Sequence, residues 1–477
     1  MMRAIDLQTI ADATNGQLLG NNSQINNITI DSRAAGIGDM FVAVKGEHED
    51  GHSFVDMAAQ KGAIAALVER QQAAVSISQL IVQDTRQALV DIAKLNRQMF
   101  KGKVLAVTGS SGKTTCKNML SGILSTAGNV CATKGNFNNE IGLPLTVQAI
   151  NDSHEFAVLE MGAAKAGDIA YLADIAQPST TAVTNIGAAH IEGFGSLEET
   201  ASTKAAIYDA LPDEGWAVVN LDDDFSDFFV QRLKTQQDNG RLLSCSMHSA
   251  EANFFASDIQ QGESGLTFTM NINTAVEQQA IPIALNFLGQ HNIYNALLAV
   301  AMAKTLDITN DQVTQGLSMV YPERGRLSLC QSANNLTLID DSYNANPASM
   351  EAAIDVLTAL SKKLQKSAIL VVGDMAELGV ESIEFHRHIG RYAAKQGVQR
   401  LCAVGEYAGT IVSSYDQQQG SDSLEFSSKQ ALAKYLLSDI CADSLVLVKG
   451  SISAAMDEVV DLLVVDKEGA FEGVNAC

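Results

Sequence analysis

One stretch of the sequence indicates the fold class most directly: Val104-Leu105-Ala106-Val107-Thr108-Gly109-Ser110-Ser111-Gly112-Lys113-Thr114-Thr115. The apolar run at 104–107 predicts a buried strand, and the glycine-rich turn after it leads into a helix pattern. Glycines let the backbone wrap closely around phosphate oxygens, and the N–H groups of a helix N-terminus attract an anion. The strict phosphate-loop pattern has a glycine where this chain has Val107, so the loop is a shorter variant. The stretch therefore predicts a nucleotide-binding loop on an α/β sheet.

Alternating strand and helix patterns continue after this loop. They predict strands at 156–159 and 181–183 and helices at 167–175, 198–210 and 292–306. Such alternation indicates a parallel sheet that is covered on both faces. Between 241 and 287 the pattern changes to strands separated by turns, which predicts an antiparallel patch at one edge of the sheet. We assign residues 84–321 to this central, P-loop ATPase-like domain.

Two further domains are expected on either side. Residues 1–83 mix short helix and strand patterns, which is typical of a small mixed α/β domain. From Tyr321 the alternation starts again, and residues 322–477 are interpreted as a Rossmann-like doubly wound domain. Its predicted strands lie at 336–339, 368–372, 401–404 and 445–448, and its predicted helices at 348–360, 383–396, 428–437 and 453–463.

The composition excludes several classes of partner. The 32 Lys and Arg residues against 55 Asp and Glu give a formal charge of −23, which repels nucleic acid and anionic membrane surfaces. No stretch approaches ~18 uninterrupted apolar residues, so no membrane-spanning segment is expected. The seven cysteines are scattered without a Cys-x-x-Cys pair, which predicts reduced thiols in a cytoplasmic protein. We expect a monomer, and any anionic ligand must be bound by a few local positive groups.

Several residues near the loop carry candidate chemistry. Lys113 is expected to reach the β- and γ-phosphates, and the Thr114 hydroxyl to bind Mg²⁺. Glu160 ends a predicted strand at the sheet edge where α/β proteins bind ligands, and a carboxylate suits Mg²⁺, although such an acid can also simply face solvent. His190 follows the strand at 181–183 and is the best placed of eight histidines for metal or phosphate contact, although a lone histidine is more often structural.

Two segments of the third domain are further candidates. Arg326 follows Gly325, and its planar guanidinium suits a phosphate. The string Asp340-Asp341-Ser342-Tyr343-Asn344-Ala345-Asn346-Pro347 follows the strand at 336–339. Its two carboxylates are suited to hydroxyls or metal, but the string is equally typical of a helix N-terminal cap.

Taken together, these segments resemble the ATP-dependent Mur ligase family, which builds the peptide of bacterial peptidoglycan, over nearly the whole chain. The segments are TGSSGKTT at 108–115, KGNFNNEIGLP at 134–144, LEMGA at 159–163, TNIGAAHIEGFGS at 184–196, LGQHNIYNALLA at 288–299, GRL at 325–327, DDSYNANPASM at 340–350, GDMAELG at 373–379 and VLVKGS at 446–451. Within the family, DSYNANP, GDMAELG and the opening Asp31-Ser32-Arg33 resemble the branch that adds D-alanyl-D-alanine to UDP-N-acetylmuramoyl-tripeptide.

The resemblance implies a sugar-nucleotide domain, a central ATPase and a C-terminal Rossmann-like domain. It implies transfer of a phosphoryl group from ATP to the terminal carboxylate of the tripeptide, with two Mg²⁺ ions, and attack on the acyl phosphate by the amine of D-alanyl-D-alanine. Elementary chemistry agrees, because a carboxylate is a poor electrophile and phosphorylation supplies a leaving group. Two anions must first be brought together, which calls for Mg²⁺ and Lys113.

The resemblance also implies roles for single residues. The phosphate-loop residues are Thr108, Gly109, Ser110, Ser111, Gly112, Lys113, Thr114 and Thr115. The implied metal-binding residues are Thr114, Glu160, His190 and Lys204. Lys204 falls where the family carries a carbamylated lysine, but the local string is Lys204-Ala205-Ala206 where Lys-Gly-Glu is usual.

The remaining implied contacts are to nucleotide and substrates. Asn295 resembles the adenine contact, Arg326 the γ-phosphate contact and Asp341 the ribose contact. The substrate-side residues are Ser32, Arg33 and Lys45 for the uridine diphosphate, Asn138, Asn139 and Glu140 for the sugar-peptide, and Asn344 and Asn346 for the dipeptide. Ile452 stands where the last motif usually has an arginine.

Two alternatives were weighed. One is another ligase of the same superfamily, which adds an amino acid to UDP-N-acetylmuramoyl-dipeptide or glutamate to folate, and the DSYNANP segment argues against it. The other is a P-loop regulatory switch, and Glu160, His190 and Lys204 argue against it because a switch needs no second metal site.

Overall fold

The computed structural model describes residues 2–46, 48–188, 191–419 and 422–464. The chain forms two compact units, the first made of 1–186, 198–255 and 295–316 and the second of 187–197, 256–294 and 317–477. Within the described ranges, no helix is long and apolar enough to span a bilayer. The six cysteines of that part of the chain are free thiols, and Cys477 lies outside it.

The N-terminal part of the first unit is the mixed α/β structure that the sequence predicted. A five-stranded sheet has the order β2-β7-β6-β5-β4, in which β4 to β7 run parallel and β2 is antiparallel. The elements are β1 (Ile5–Asp6), α1 (Leu7–Ala13), β2 (Gln17–Leu19), β3 (Gln24–Ile25), β4 (Asn27–Thr29), β5 (Asp39–Val42), α2 (Val55–Lys61), β6 (Ala65–Val68) and β7 (Ser78–Ile81). Every residue of β5 and β6 is buried, which is why these runs are apolar apart from Asp39 at the start of β5.

The rest of the first unit is built on a parallel sheet of order β13-β12-β11-β8-β10-β9. The elements from Thr85 onward are α3 (Thr85–Met99), β8 (Lys103–Thr108), α4 (Lys113–Leu124), β9 (Val130–Ala132), α5 (Gly142–Gln148), β10 (Phe156–Glu160), α6 (Asp168–Ala176), β11 (Thr180–Val183), α7 (Ile191–Phe194), α8 (Leu197–Asp209), β12 (Trp216–Asn220), α9 (Ser226–Arg232), α10 (Lys234–Asp238) and β13 (Leu242–Ser246). The predicted parallel sheet is confirmed.

The region 241–287 contains the predicted antiparallel pairing, together with a parallel strand that was not expected. β13 is parallel to β12, and β14 begins parallel to β13, with Cys245 opposite Phe254. Helices α9 and α10 supply the long crossover that a parallel β13 requires. In the second unit β15 pairs antiparallel with β16, and β15 also neighbours β14, to which the short turn at 262–265 joins it as a hairpin. The elements are β14 (Phe254–Gln261), β15 (Leu266–Asn273), β16 (Gln278–Leu285), α11 (His291–Ala303) and α12 (Asn310–Ser318).

The remainder of the second unit is a doubly wound sheet of order β17-β18-β22-β19-β20-β21. All its pairs are parallel except β17 with β18. The elements are β17 (Ser328–Gln331), β18 (Thr337–Asp341), α13 (Pro347–Leu364), β19 (Ser367–Val372), α14 (Ser382–Gln396), β20 (Arg400–Val404), α15 (Ala408–Gln419), β21 (Ser423–Phe426), α16 (Lys429–Asp439), β22 (Ser444–Lys449) and α17 (Asp457–Leu463). The Rossmann-like prediction is confirmed, although edge strands β17 and β21 and helix α15 were missed.

Candidate nucleotide and metal site

The register of three neighbouring strands brings the candidate residues of the first unit together. In the order β11-β8-β10, Val107 lies opposite Glu160, and Thr108 lies opposite Val183. The loop that follows β8 therefore emerges between the ends of β10 and β11. This is the carboxyl edge of a parallel sheet, where open α/β folds bind their ligands.

The loop conformation depends on two glycines. Gly109 has φ +152° and Gly112 has φ +80°, which are values that side chains disfavour. A Cβ atom at Gly109 would lie 1.8 Å from Thr184 Oγ1, and one at Gly112 would lie 2.4 Å from Asn295 Oδ1. The loop backbone can lie this close to Thr184 and Asn295 because neither glycine carries a side chain. Asn295, the expected adenine contact, therefore lies directly beside the loop.

Asn185 holds the loop from the β11 side. Its backbone carbonyl accepts from Ser110 N at 2.9 Å, and its Oδ1 accepts from Ser111 N at 2.9 Å. Its Nδ2 donates to Ser111 O at 3.1 Å. No sequence motif assigned a role to this asparagine. Its place in the TNIG segment directly after a buried strand was the available signal.

Lys113 begins α4, and its ammonium folds over the loop. Nζ donates to Gly109 O at 2.9 Å and to Ser110 O at 3.4 Å. The positive charge is therefore held at the loop that the sequence predicts for phosphate. Thr108, by contrast, is tied to the neighbouring strand, because its Oγ1 donates to Met161 O at 2.8 Å. Thr114 is buried at the first turn of α4.

The two carboxylate oxygens of Glu160 differ in their contacts. The residue is 2% exposed, and its Oε1 accepts from Asn138 Nδ2 at 2.8 Å. Its Oε2 is buried and has no hydrogen-bond partner within the described part of the chain. An unpaired buried carboxylate oxygen is costly, and a bound cation is the natural partner for it. The site therefore fits Mg²⁺ at Glu160.

The structure gives less information on the other metal ligands that the sequence predicts. His190 lies outside the described residues. Among the residues that are described, no group of three His, Cys, Asp or Glu side chains forms a ready metal cage. A Mg²⁺ ion bound at Glu160 would complete its coordination with hydroxyl, phosphate or water oxygens, which is how Mg²⁺ is usually bound.

Lys204 is a buried lysine on α8. It is 2% exposed, and burial together with the charge of Lys113 lowers the pKa of its ammonium to about 7. A lysine amine is almost never buried unless it has a specific role or partner. Because a large fraction of this amine is neutral near pH 7, Lys204 is chemically suited to act as a nucleophile.

The expected sugar-nucleotide residues follow strands β4 and β5. Arg33 is on the surface, and its guanidinium makes two 2.9 Å bonds to the Asp31 carboxylate. Ser32 is buried, with Oγ 3.4 Å from Met57 Sδ. Lys45 is exposed and forms a backbone bridge with Asp50. β4 and β5 are parallel, so these residues share one carboxyl edge.

The turn at Asp50 is held by a buried histidine. His52 Nδ1 lies 2.6 Å from Asp50 Oδ1, and its Nε2 accepts from Glu69 N at 2.9 Å. Hydrogen bonds from Arg70 and His52 hold the pKa of Asp50 well below its usual range. We conclude that this turn is a rigid support for the exposed Lys45 beside it.

The three residues expected along the sugar-peptide path diverge. Asn138 turns its side chain to Glu160, as described above. Asn139 Oδ1 accepts from Gly142 N at 2.9 Å, at the start of α5. Glu140 is exposed. Of the three, Glu140 alone presents an exposed carboxylate, while the two asparagines organise the protein itself.

In the second unit, Asp341 forms a buried ion pair that the sequence analysis missed. Its Oδ2 accepts from Lys449 Nζ at 2.6 Å, and its Oδ1 accepts from Leu327 N at 3.1 Å. Lys449 also donates to Asn344 O at 2.8 Å. Burial raises the pKa of Asp341 despite this pairing. Lys449 ends β22 in the VLVKGS segment, and that motif was the available signal.

The other candidate residues of the second unit, Arg326 and Asn346, also make contacts within the protein. The Arg326 guanidinium lies 4.1 Å from the centre of the Tyr343 ring, and its Nε is 3.7 Å from Glu323 Oε2. Asn346 caps α13, accepting from Ser349 N at 2.8 Å, so the helix-cap interpretation of this string is confirmed. Ile452 is 60% exposed.

Replacing Lys449 with Met should destabilise the protein by about 3 to 5 kcal/mol, because it leaves the Asp341 carboxylate buried and unpaired. Chemical denaturation followed by circular dichroism measures the loss in the transition of the second unit. Replacing the exposed Lys395 with Met removes the same charge from the same unit and should change little. An equal effect of the two substitutions would contradict a stabilising role for the pair.

Three family models match the chain. Residues 24–98 match the Mur ligase family catalytic domain, residues 107–303 the Mur ligase middle domain, and residues 325–452 the Mur ligase glutamate ligase domain. Each model covers a separate part of the chain. They include the phosphate loop, Glu160, Lys204, Arg326 and Asp341.

Individual relatives extend the similarity to nearly the full length. UDP-N-acetylmuramoyl-tripeptide–D-alanyl-D-alanine ligase of Escherichia coli K12 is 38% identical over 466 residues, covering 97% of this chain and 99% of the relative. A crystal structure of MurF from Acinetobacter baumannii superposes with a TM-score of 0.86 at 32% identity, covering 97% and 99% of the two chains. MurF of Thermotoga maritima in complex with ADP gives a TM-score of 0.77 at 28% identity, covering 91% and 96%.

Proposed function

Because the chain belongs to the Mur ligase family, we propose that it is the ATP-dependent ligase that joins D-alanyl-D-alanine to UDP-N-acetylmuramoyl-tripeptide in peptidoglycan synthesis. The observation that carries the proposal is full-length similarity to ligases of this activity, combined with a phosphate loop flanked by Glu160 at one sheet edge. The products are UDP-N-acetylmuramoyl-pentapeptide, ADP and phosphate.

The proposed reaction has two steps. A carboxylate oxygen of the tripeptide attacks the γ-phosphorus of ATP, which forms an acyl phosphate and releases ADP. The amine of D-alanyl-D-alanine then attacks the acyl carbon, loses a proton and expels inorganic phosphate. Lys113 and the loop N–H groups hold the phosphates in line, so that positioning and charge stabilisation provide most of the catalysis.

We propose that Thr114 and Glu160 hold one Mg²⁺, and that His190 and Lys204 support a second. The free Oε2 of Glu160 supports the first assignment. Bound Mg²⁺ would neutralise the developing charge between the phosphates and the attacking carboxylate. For Lys204 the proposal includes carbamylation, in which the neutral amine adds CO₂ and loses a proton. Burial of this lysine beside the charge of Lys113 supports it, because the modification exchanges an unfavourable cation for an anion.

The substrate contacts are proposed by their place in the fold. Asn295 contacts the adenine, Asp341 the ribose and Arg326 the γ-phosphate. Ser32, Arg33 and Lys45 bind the uridine diphosphate; Asn138, Asn139 and Glu140 line the sugar-peptide path; Asn344 and Asn346 face the dipeptide. For Asn139 and Asn346, the capping bonds above leave mainly the backbone and the outer faces of the side chains for this role.

The proposal includes the organisation of the protein. Residues 1–83 form the sugar-nucleotide domain, 84–321 the ATPase and 322–477 the C-terminal domain. We propose a cytoplasmic monomer. The scattered free thiols are consistent with a reducing compartment.

Phosphate release by the purified protein tests the proposed function. With ATP, Mg²⁺ and UDP-N-acetylmuramoyl-tripeptide, D-alanyl-D-alanine should release phosphate stoichiometrically and yield a product heavier by the dipeptide residue. Single D-alanine, L-alanine and glutamate serve as controls. Phosphate release that needs no dipeptide, or that a single amino acid supports equally, would assign the chain to another ligase of the family or to an ATPase.

A further inference from the structure

Lys117 is a second lysine on the phosphate-loop helix, and it is buried. It lies one turn after Lys113 on α4 and is 2% exposed. Its Nζ donates to Thr133 O at 2.8 Å, inside the protein. Lysine is almost never fully buried unless it is paired or hydrogen-bonded, because taking its charge out of water is costly. A lysine placed here at that cost indicates a role.

Thr133 connects Lys117 to Glu160. It directly follows β9, and it uses two oxygens in two directions. Its carbonyl accepts from Lys117, and its Oγ1 accepts from the backbone N–H of Glu160 at 3.0 Å. Its own N–H donates to Val158 O at 3.1 Å, which continues the β9–β10 pairing. Thr133 is thus fixed between the helix of the phosphate loop and the strand end that carries the acid.

The same network reaches the carboxylate from its other side. Asn138 Nδ2 donates to Glu160 Oε1, and Asn138 O accepts from Gly162 N at 2.8 Å. The segment from Thr133 to Asn138 is therefore hydrogen-bonded to Glu160 at its backbone N–H and at one side-chain oxygen. The other oxygen, Oε2, is buried and has no hydrogen-bond partner among the residues that the structure describes. These hydrogen bonds fix the orientation of the carboxylate and leave its Oε2 available to a cation.

We infer that Lys117 is a positioning residue for the metal-binding carboxylate, acting through Thr133 on Glu160. The inference rests on the proposed function only in identifying the cation as the Mg²⁺ of MgATP. Lys113 and the loop bind the phosphates, whereas Lys117 fixes the distance between α4, which carries Thr114, and the strand end, which carries Glu160. Lys117 therefore governs affinity for the metal ion and not affinity for the nucleotide itself.

Metal binding measured apart from turnover tests this role. Mn²⁺ replaces Mg²⁺, and electron paramagnetic resonance reports free Mn²⁺ during titration in the presence of a non-hydrolysable ATP analogue. Lys117→Met should weaken Mn²⁺ binding about 10-fold, the scale on which residues behind a ligand act. Binding of the analogue without metal should not change. Lys103→Met is the control, since it removes an exposed lysine from β8 of the same sheet.

A second variant keeps the test decisive if Lys117→Met folds poorly. Thr133→Val removes the hydroxyl that accepts from Glu160 at nearly constant volume, and it should weaken Mn²⁺ binding in the same direction. Because both variants break one chain of contacts, their effects should not add in the double variant. Mn²⁺ affinities equal to the unmodified protein in Thr133→Val and in any folded Lys117→Met overturn the inference. The dipeptide-dependent assay of the unmodified protein tests the ligase function separately, and neither result decides the other.

Discussion

Replacing Lys113 with Met is expected to weaken ATP binding by at least about 100-fold, because the lost contacts are charge-assisted bonds to phosphate. Met keeps most of the side-chain length and volume, so the loop keeps its shape. Gly109 and Gly112 still bring the backbone close, and Asn185 still holds Ser110 and Ser111. What disappears is the one ammonium that folds over the loop at Gly109 O.

Isothermal titration with ATP and Mg²⁺ measures the change, and the thermal transition reports whether folding is intact. Lys103→Met again serves as the control, because it alters the formal charge of −23 by the same single unit at an exposed position of β8. If both variants lost affinity equally, the overall field and not the local contact would govern nucleotide binding. If neither lost affinity, the phosphate-loop assignment of Lys113 would be wrong.

The large negative charge of the chain makes the comparison of Lys113→Met with Lys103→Met informative. A net charge of −23 repels ATP and a UDP-sugar peptide, which are both anions. Attraction must come from positive groups at short range, where Coulomb energies are large and screening is weak. We propose that Lys113 at the loop is such a group, together with the exposed Lys45 and with Arg33, whose guanidinium is paired with Asp31 in the structure. Most of the acidic excess then serves solubility.

Local sequence pattern predicted the parallel strands well, because buried strands are continuous apolar runs. Val104 to Val107 and Leu445 to Val448 are entirely buried and were identified directly. The edge strand β21 was missed since its residues are half-buried or exposed and show no clear alternation. The parallel direction of β13 also escaped prediction, because its pairing partner β12 lies more than twenty residues away along the chain.

The sequence motifs predicted the candidate site residues, but they did not predict the residues that hold them in place. Glu160 and the loop follow strands, so their shared edge could be inferred from topology alone. Asn185, Lys117 and Lys449 act through contacts with partners 16 to 108 positions distant in sequence. No periodicity encodes such pairs, and only the folded chain brings them together. The buried state of Lys204 belongs to the same class.

Lys204 separates a ligase from a nucleotide switch. A switch requires the phosphate loop but has no need for a buried lysine beside it, whereas the proposed ligase uses Lys204, as a carbamate, to support a metal ion. An amine that is 2% exposed and whose pKa falls to about 7 meets the chemical requirement for reaction with CO₂. The resulting carboxylate would add an oxygen ligand that a metal ion can bind.

Replacing Lys204 with Ala should therefore reduce turnover by roughly 100-fold or more while leaving folding intact, since a metal-supporting oxygen is lost from the transition state. Small carboxylates such as formate or acetate should restore part of the activity by occupying the space of the missing carbamate. Carbon NMR with ¹³C-bicarbonate should show a carbamate signal in the unmodified protein and not in the variant. Lys165→Ala, at an exposed position of the same unit, is the matched control. Full activity of Lys204→Ala would favour a one-metal enzyme, and loss without carboxylate rescue or NMR signal would leave Lys204 as an unmodified amine.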